Sequence, residues 1–450
     1  MQAPTDVNRP VLQANALAAP TLDLNHPWRV SLSSEIHSRP FMDIAAPVEV
    51  SHLAILCDAD IERHHTLLAS LCQHFGVAPP EKGHQNFSHD FGDFQLKWEN
   101  HTEFSSYTLA RSSNPKGPFS DPPHRYLPQS WLQQLAGLLM VATHLHVEKH
   151  DGQTTDQEML RQFFTGQVIS GSLSVGARAE VWSDFRIQAD GFSRFLVRDK
   201  NLLHMQTGRL AQRLVEIETY HTIALLGFPT AQVHQPKIRE IEAALSSLTQ
   251  QMESVATPDE EHLLMQNLIA LAARVETMSQ ASGNRFAAVQ AYWHIVQARI
   301  ADIREQRIEG YPTIAEFMDR RLAPAIEFCH AVDIRQNHLA DRIAHASDLL
   351  RTRVSISQER QNSAILASLN RRASAQLRLQ QAVEGFSTVA ITYYLMGLIG
   401  YLAKGFKILG LGVNPELVSA ASIPIVAIAT WIGVRRLRHS LSSRALNEHL

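Results

Sequence analysis

The chain has 450 residues, 45% hydrophobic and 19% charged, with 41 basic and 44 acidic side chains and a net charge of -3. Two or three domains of about 100–200 residues fit this length, and the balanced charge excludes a strongly basic nucleic-acid binder and an acidic disordered chain. Three cysteines, Cys57, Cys72 and Cys329, are too few for a disulfide framework and point to a reducing compartment.

Residues 1–25 contain Pro4, Pro10 and Pro20 and no apolar run. A mobile tail is expected there rather than a secretory signal, which would leave the following polypeptide in the cytoplasm. From 26 to 200 the pattern predicts an α/β domain. Val48–Cys57 reads as a strand, 94–98 and 104–109 as a hairpin across 99–102, and Leu138–Val147 as another strand. Residues 172–197 hold two or three more, with Gly176 and Asp190-Gly191 as turns. Helices fit at 60–75 and 130–135.

Three features of this region bear on chemistry. Glu35, His37 and Arg39 share one face if the backbone is extended, which suits a ligand or proton-transfer site as well as a structural ion-pair network. His144, His146, Glu148 and His150 have types that suit Zn²⁺, but no cysteine or second pair stands at ligand spacing, so no metal is assigned. Gly171 and Gly176 have the spacing of a phosphate-binding loop, yet Ala177-Arg178 replaces the lysine and hydroxyl that chemistry needs. With no nucleophile elbow and no dinucleotide fingerprint, neither a cofactor nor an enzymatic activity is expected.

From 203 to 381 the period becomes helical. Leu210, Leu214, Ile217 and Tyr220 mark one face, and further helices follow at 235–252, 262–279 and 287–304. Breaks are expected at Gly227-Phe-Pro229, Thr257-Pro258 and Ser282-Gly-Asn284. Thr313 and Glu316 have capping-box spacing. Residues 325–381 lack Pro and Gly, so one long helix is expected, with a seam of Leu339, Ile343, Ala346, Leu350 and Val354 resumed at Ile365 and Leu369. Such a helix needs partners, either within an intramolecular bundle or in an oligomeric stalk.

Residues 385–402 and 417–434 are each 18 residues without a charge. Each is long enough to span the roughly 30 Å hydrocarbon layer, predicting a two-helix transmembrane hairpin over 385–434 and a basic cytoplasmic tail over 435–450. Arg371, Arg372, Arg378, Arg435, Arg436, Arg438 and Arg444 flank the pair, against Lys404 and Lys407 between the segments. That asymmetry puts both termini in the cytoplasm. Thr388 and Thr392 lie on one face of the first segment, either lining a pore or packing within the hairpin.

Two resemblances follow from particular stretches. His26-Pro-Trp-Arg29, Glu35-Ile-His-Ser-Arg-Pro40, Trp98-Glu-Asn-His-Thr-Glu-Phe104, Asp348-Leu-Leu-Arg-Thr-Arg-Val354, Val383-Glu-Gly385 and Tyr393-Tyr394 resemble an uncharacterised family of membrane-anchored proteins of Gram-negative bacteria. That likeness implies an inner-membrane location and no activity. The order of parts is similar to that of CorA-type magnesium channels, with Asp348–Arg353 and Gln361-Asn362 in the place of the stalk. Gly412-Val413-Asn414 stands nearest to that family's Gly-Met-Asn signature, and Glu416 is in the place of its acidic loop. This second likeness implies an oligomeric channel for a divalent cation, with Thr388 and Thr392 lining the pore and Asn414 and Glu416 at its mouth.

The expected class is therefore α+β: a cytoplasmic α/β domain, a helical bundle or stalk, and a membrane hairpin. The lipid bilayer and further copies of the chain are the expected partners. Two functions fit this order of parts: a CorA-like cation channel, and a membrane-tethered scaffold or ligand sensor without transport.

Overall fold

The computed structural model describes residues 26, 28–29, 32–33, 40–57, 60–81, 83–112, 117–152, 154–203, 205–255, 257–408 and 414–447. The expected tail at 1–25 and the Glu35, His37 and Arg39 cluster lie outside them. The described residues form two compact units, one spanning 1–254 with 264–346 and the other 255–263 with 347–450.

The first unit is organised by a nine-stranded sheet. Its strands are β1 (Val48–Leu56), β2 (Asn86–Asp90), β3 (Gln95–Asn100), β4 (Phe104–Ser112), β5 (Leu139–Lys149), β6 (Ser170–Ser174), β7 (Ala179–Ser183), β8 (Ser193–Asp199) and β9 (Gln306–Arg307). They lie in the order β2-β3-β4-β1-β5-β8-β7-β6-β9. Only β5 and β8 pair in parallel. Side chains alternate across a strand, so β1 sends Leu53 and Ile55 to one face and His52 and Ala54 to the other.

Both faces are covered. On the first, α1 (Ile61–His74) and α2 (Gln129–Gln134) bring Leu67, Leu68, Leu71 and Trp131 onto Leu53, Ile55, Trp98 and Tyr107. Asp60 opens α1 by accepting the Arg63 N–H at 3.1 Å. On the second, Ile223 of α4 (Gln206–Ala224) packs with Ala54, Phe104 and Val141. A short α3 (Gln157–Arg161) lies in the crossover between β5 and β8. Neither α3, β2 nor β9 has enough periodic residues to be read from the sequence.

The expected strands and helices of this region are present, and so is the capping box. Thr313 Oγ1 accepts the Glu316 N–H, and the Glu316 carboxylate accepts the Thr313 N–H, at the start of α7 (Ile314–Arg321). One expected break is absent. After α5 (Gly227–Ser254), α6 (Pro258–Ile303) runs unbroken through Ser282-Gly-Asn284. Ser282 is buried, and its hydroxyl donates to the Met278 carbonyl at 2.8 Å. Phe286 and Val289 keep the apolar face going beyond it. Packing of that face outweighs the roughly 1 kcal/mol a helical glycine costs.

Helix α8 (Ala323–Ile408) contains the long Pro- and Gly-free stretch. Leu339, Ile343, Ala346 and Leu350 of its seam are buried, whereas Ile365 and Leu369 are exposed. Helix α9 (Pro415–Asn447) carries the second apolar segment and continues through 435–447, which the sequence had suggested as a tail.

Two glycines separate the tight places from the open ones. A Cβ at Gly171 would lie 2.1 Å from the Trp182 ring, its register partner on β7, whereas a Cβ at Gly283 meets nothing within 4 Å. Gly171→Ala is expected to lower stability by about 1–3 kcal/mol through overpacking. Gly283→Ala should raise it by about 0.4–1 kcal/mol by restricting the unfolded chain. Urea unfolding followed by tryptophan fluorescence reads both, and equal midpoints for the two variants would contradict the packing.

Candidate functional site

The two apolar segments pack as an antiparallel pair. Thr392 Oγ1 and Thr430 Oγ1 are 2.9 Å apart, Ser422 Oγ donates to Met396 Sδ at 3.5 Å, and a Cβ at Gly400 would sit 3.6 Å from Ser419 Oγ. Small and hydroxylic residues thus form the seam, as expected where backbones approach closely. The Thr392 hydroxyl also reaches the Thr388 carbonyl at 2.7 Å. Asn414 Oδ1 accepts the Glu416 N–H at 3.3 Å, as a cap on the first turn of α9. Gly412 and Val413 lie outside the described residues. The remaining surface of the pair is apolar and open: Phe386 is 77% exposed, Tyr393 76% and Ile425 68%.

In the sheet unit, the histidines of β5 do not converge on a common point. His144 bonds Ser51 Oγ at 3.1 Å and stacks on Phe192 with 3.8 Å between ring centres. His146 Nδ1 donates to Glu49 Oε1 at 2.8 Å, and Glu148 lies 3.7 Å from its Nε2. His150 faces Glu180 at 3.6 Å. Among the described residues no three His, Cys, Asp or Glu side chains are grouped to hold a metal ion. Instead, Arg198 holds Glu148, Asp151 and Thr155, and Glu180 accepts from Thr155 and faces Lys200 at 2.8 Å. This is an ionic network centred on the buried Arg198, with Asp151 and Lys200 at its exposed edge.

The opposite face holds a small cavity of about 40 Å³ between the sheet and α4. Gly208, Ala211, Val215 and Thr219 line its roof, and His52, Lys97, Glu99 and Ser106 line its floor. Gly208 is required there, since a Cβ would lie 1.8 Å from the Met42 carbonyl oxygen. Lys97 is buried with its ammonium 3.1 Å from Glu99, and its Nζ makes no hydrogen bond. A space this size holds about three waters or one small polar molecule.

The hydrogen-bond network fixes the His52 tautomer. Thr219 Oγ1 donates to the Val215 carbonyl at 2.7 Å, so it accepts from His52 Nε2 at 2.9 Å. His52 Nδ1 then accepts from Thr108 Oγ1, also at 2.9 Å. This site is not legible in the sequence. Lys97 and Glu99 alternate with Leu96 and Trp98, the pattern of a solvated strand face, and only α4 turns that face into an interior.

The histidines carry opposite charges of environment. Burial, with the nearby His101 and Lys97, lowers the His52 pKa to about 3. Burial and His124 lower His144 to about 3 as well. For His146, burial acts downward, but hydrogen bonds and charge from Glu148 and Glu49 outweigh it and raise the pKa to about 9. Unfolding below pH 6.5 lets His52 and His144 take up two protons, and His64, His124 and His234, also held below the ordinary value by burial, add to this, so stability should fall by at least about 2.7 kcal/mol per pH unit on the acid side. Between pH 6.5 and 9 only the folded His146 keeps its proton, so stability should fall by about 1.4 kcal/mol per unit as pH rises. Urea unfolding from pH 5 to 9 should therefore peak near pH 6.5, with the steeper slope on the acid side. A flat profile would contradict these environments.

No curated protein matches the chain. Residues 24–441 match the family DUF3422, described as a protein of unknown function. The chain belongs to that family, over nearly its whole length.

Proposed function

We propose that the protein is a membrane-tethered cytoplasmic scaffold or ligand sensor, held in the inner membrane by the α8–α9 hairpin with both termini cytoplasmic. The observation that carries this reading is the level alignment of two uncovered apolar blocks. The three contacts of the hairpin set a register in which Gly385 is level with Arg435 and Leu402 with Val418. Both blocks thus start and stop together, over 18 residues or about 27 Å at 1.5 Å per residue. That length suits the roughly 30 Å hydrocarbon layer. In water, side chains such as Phe386 and Ile425 would leave a large continuous apolar surface exposed.

The same geometry favours a tether over a conduit. Thr392, the polar residue best placed to line a pore, bonds Thr430 of the same chain. In the sensor reading the Lys97 cavity is the ligand-holding site of the cytoplasmic part. The chain also self-associates through α8: beyond Leu350 the seam residues Ile365 and Leu369 are exposed, as are Leu366 and Leu377. Most helical stability comes from packing of an apolar face, and a second copy supplies the missing cover.

Four measurements test this. The full chain should stay with the membrane after an alkaline carbonate wash; release into the supernatant removes the tether. Cys57, Cys72 and Cys329 are buried, so a membrane-impermeant maleimide should label Lys407→Cys from outside intact cells and leave Ser443→Cys unlabelled. The mass of detergent-solubilised protein should be a multiple of 50.4 kDa, and a monomer removes the self-association. Divalent-cation uptake into proteoliposomes that falls with Asn414→Ala or Glu416→Ala would overturn the tether in favour of the channel.

A further inference from the structure

We infer that the cytoplasmic end of the hairpin carries an arginine collar that binds the phosphate headgroups of anionic phospholipids. The inference rests on the membrane reading above and adds the lipid class to it. Seven arginines flank the apolar blocks on this side, with Glu384 and Glu448 the only acids among 361–415 and 417–450 at that end. The hairpin register brings the two groups to one level. Arg435, Arg436 and Arg438 lie within about 5 Å of the Gly385 edge along the helix axis, and Arg378 about 10 Å from it. The headgroup layer on each side of a bilayer is about 5–8 Å deep, so these four occupy it or reach it. Arg371, Arg372 and Arg444 stand further out, at about 14–21 Å.

Two observations separate this collar from an ordinary charged surface. Several arginines of the first unit face carboxylates, as in Arg111–Asp121, Arg198–Glu148, Arg285–Glu103 and Arg335–Glu242. Arg372, Arg378, Arg435 and Arg436 are exposed. Second, Arg435 lies over the Trp431 ring at 5.1 Å, which keeps its guanidinium at the level where interfacial tryptophans sit. Every cation of the collar is Arg, whose planar fork grips phosphate oxygens in pairs, while the other end of the hairpin carries Lys404 and Lys407. Headgroup phosphates at this depth are the acceptors within reach.

The test uses the full chain in nanodiscs made from a 9:1 mixture of phosphatidylcholine and phosphatidylglycerol, then gently extracted in detergent. The headgroups of the retained lipid are counted. Phosphatidylglycerol should be enriched about fivefold over its share in the disc, the factor expected for about 1 kcal/mol. Enrichment should collapse in 1 M salt, which screens exposed contacts and involves no substitution. Replacing Arg378, Arg435, Arg436 and Arg438 by Gln should abolish it, while Lys404→Gln with Lys407→Gln should leave it unchanged. Retained lipid at the bulk ratio overturns the collar, as does enrichment that survives 1 M salt or the four Gln substitutions. Enrichment abolished by 10 mM inorganic phosphate at constant ionic strength overturns it in favour of a free-phosphate site. In each of these cases the chain still enters the disc. A chain that fails to enter discs of either lipid fails the membrane reading instead.

Discussion

The constraint on which the rest depends is that, among the described residues, the apolar outer surface of the α8–α9 hairpin is left uncovered. Its backbone polar groups are satisfied within the two helices, and its hydroxyls are satisfied by carbonyls one turn back or by each other, as in Thr392 to Thr388 and Thr392 to Thr430. What remains outward is hydrocarbon. A pair of helices built this way is soluble in lipid and insoluble in water. The polar seam stabilises the pair only modestly, because hydroxyl bonds between membrane helices contribute about 0.6 kcal/mol on average. Close approach at Gly400, where a Cβ would meet Ser419 Oγ at 3.6 Å, therefore matters as much as the bonds.

The sheet unit solves a different problem. A sheet covered on both faces has nowhere to solvate polar strand residues, so each must find a partner inside. His52 does so as a neutral imidazole, with a hydroxyl on each nitrogen. His146 does so as a cation between Glu49 and Glu148. The same residue type thus appears in two charge states on opposite faces of one sheet, decided by whether carboxylates or hydroxyls stand opposite. Such networks fix register more than they add stability, since a buried ion pair regains little beyond its desolvation cost. A one-residue slip of β1 against β5 would place Glu49 and His146 on different faces.

Strands with clear alternation and helices with clear caps were legible in the sequence. Val48–Leu56 alternates, and Thr313 with Glu316 announces the start of α7. The break predicted at Ser282-Gly-Asn284 failed because local punctuation says nothing of Gln336, whose side chain donates to Ser282 from 54 residues away. The cavity was illegible for the same reason: His52, Lys97 and Thr219 come from three elements, and only tertiary packing of α4 on the sheet unites them. The two apolar helices were legible because composition and length alone mark them.

Composition and length also explain why the hairpin ends where it does. A span of about 27 Å is slightly shorter than a typical hydrocarbon core, and short spans are accommodated by thinning the bilayer or by flanking side chains that reach toward the interface. Arg435 bent over Trp431, and Lys404 over Tyr401 at 5.8 Å, are such side chains at opposite ends. Each pairs an aromatic ring that prefers the interface with a cation that cannot go deeper. On the membrane reading proposed above, the ring would set the depth and the cation would oppose sliding. Arginine at one end and lysine at the other would then give the two ends of the proposed anchor different affinities for phosphate, and with them a direction.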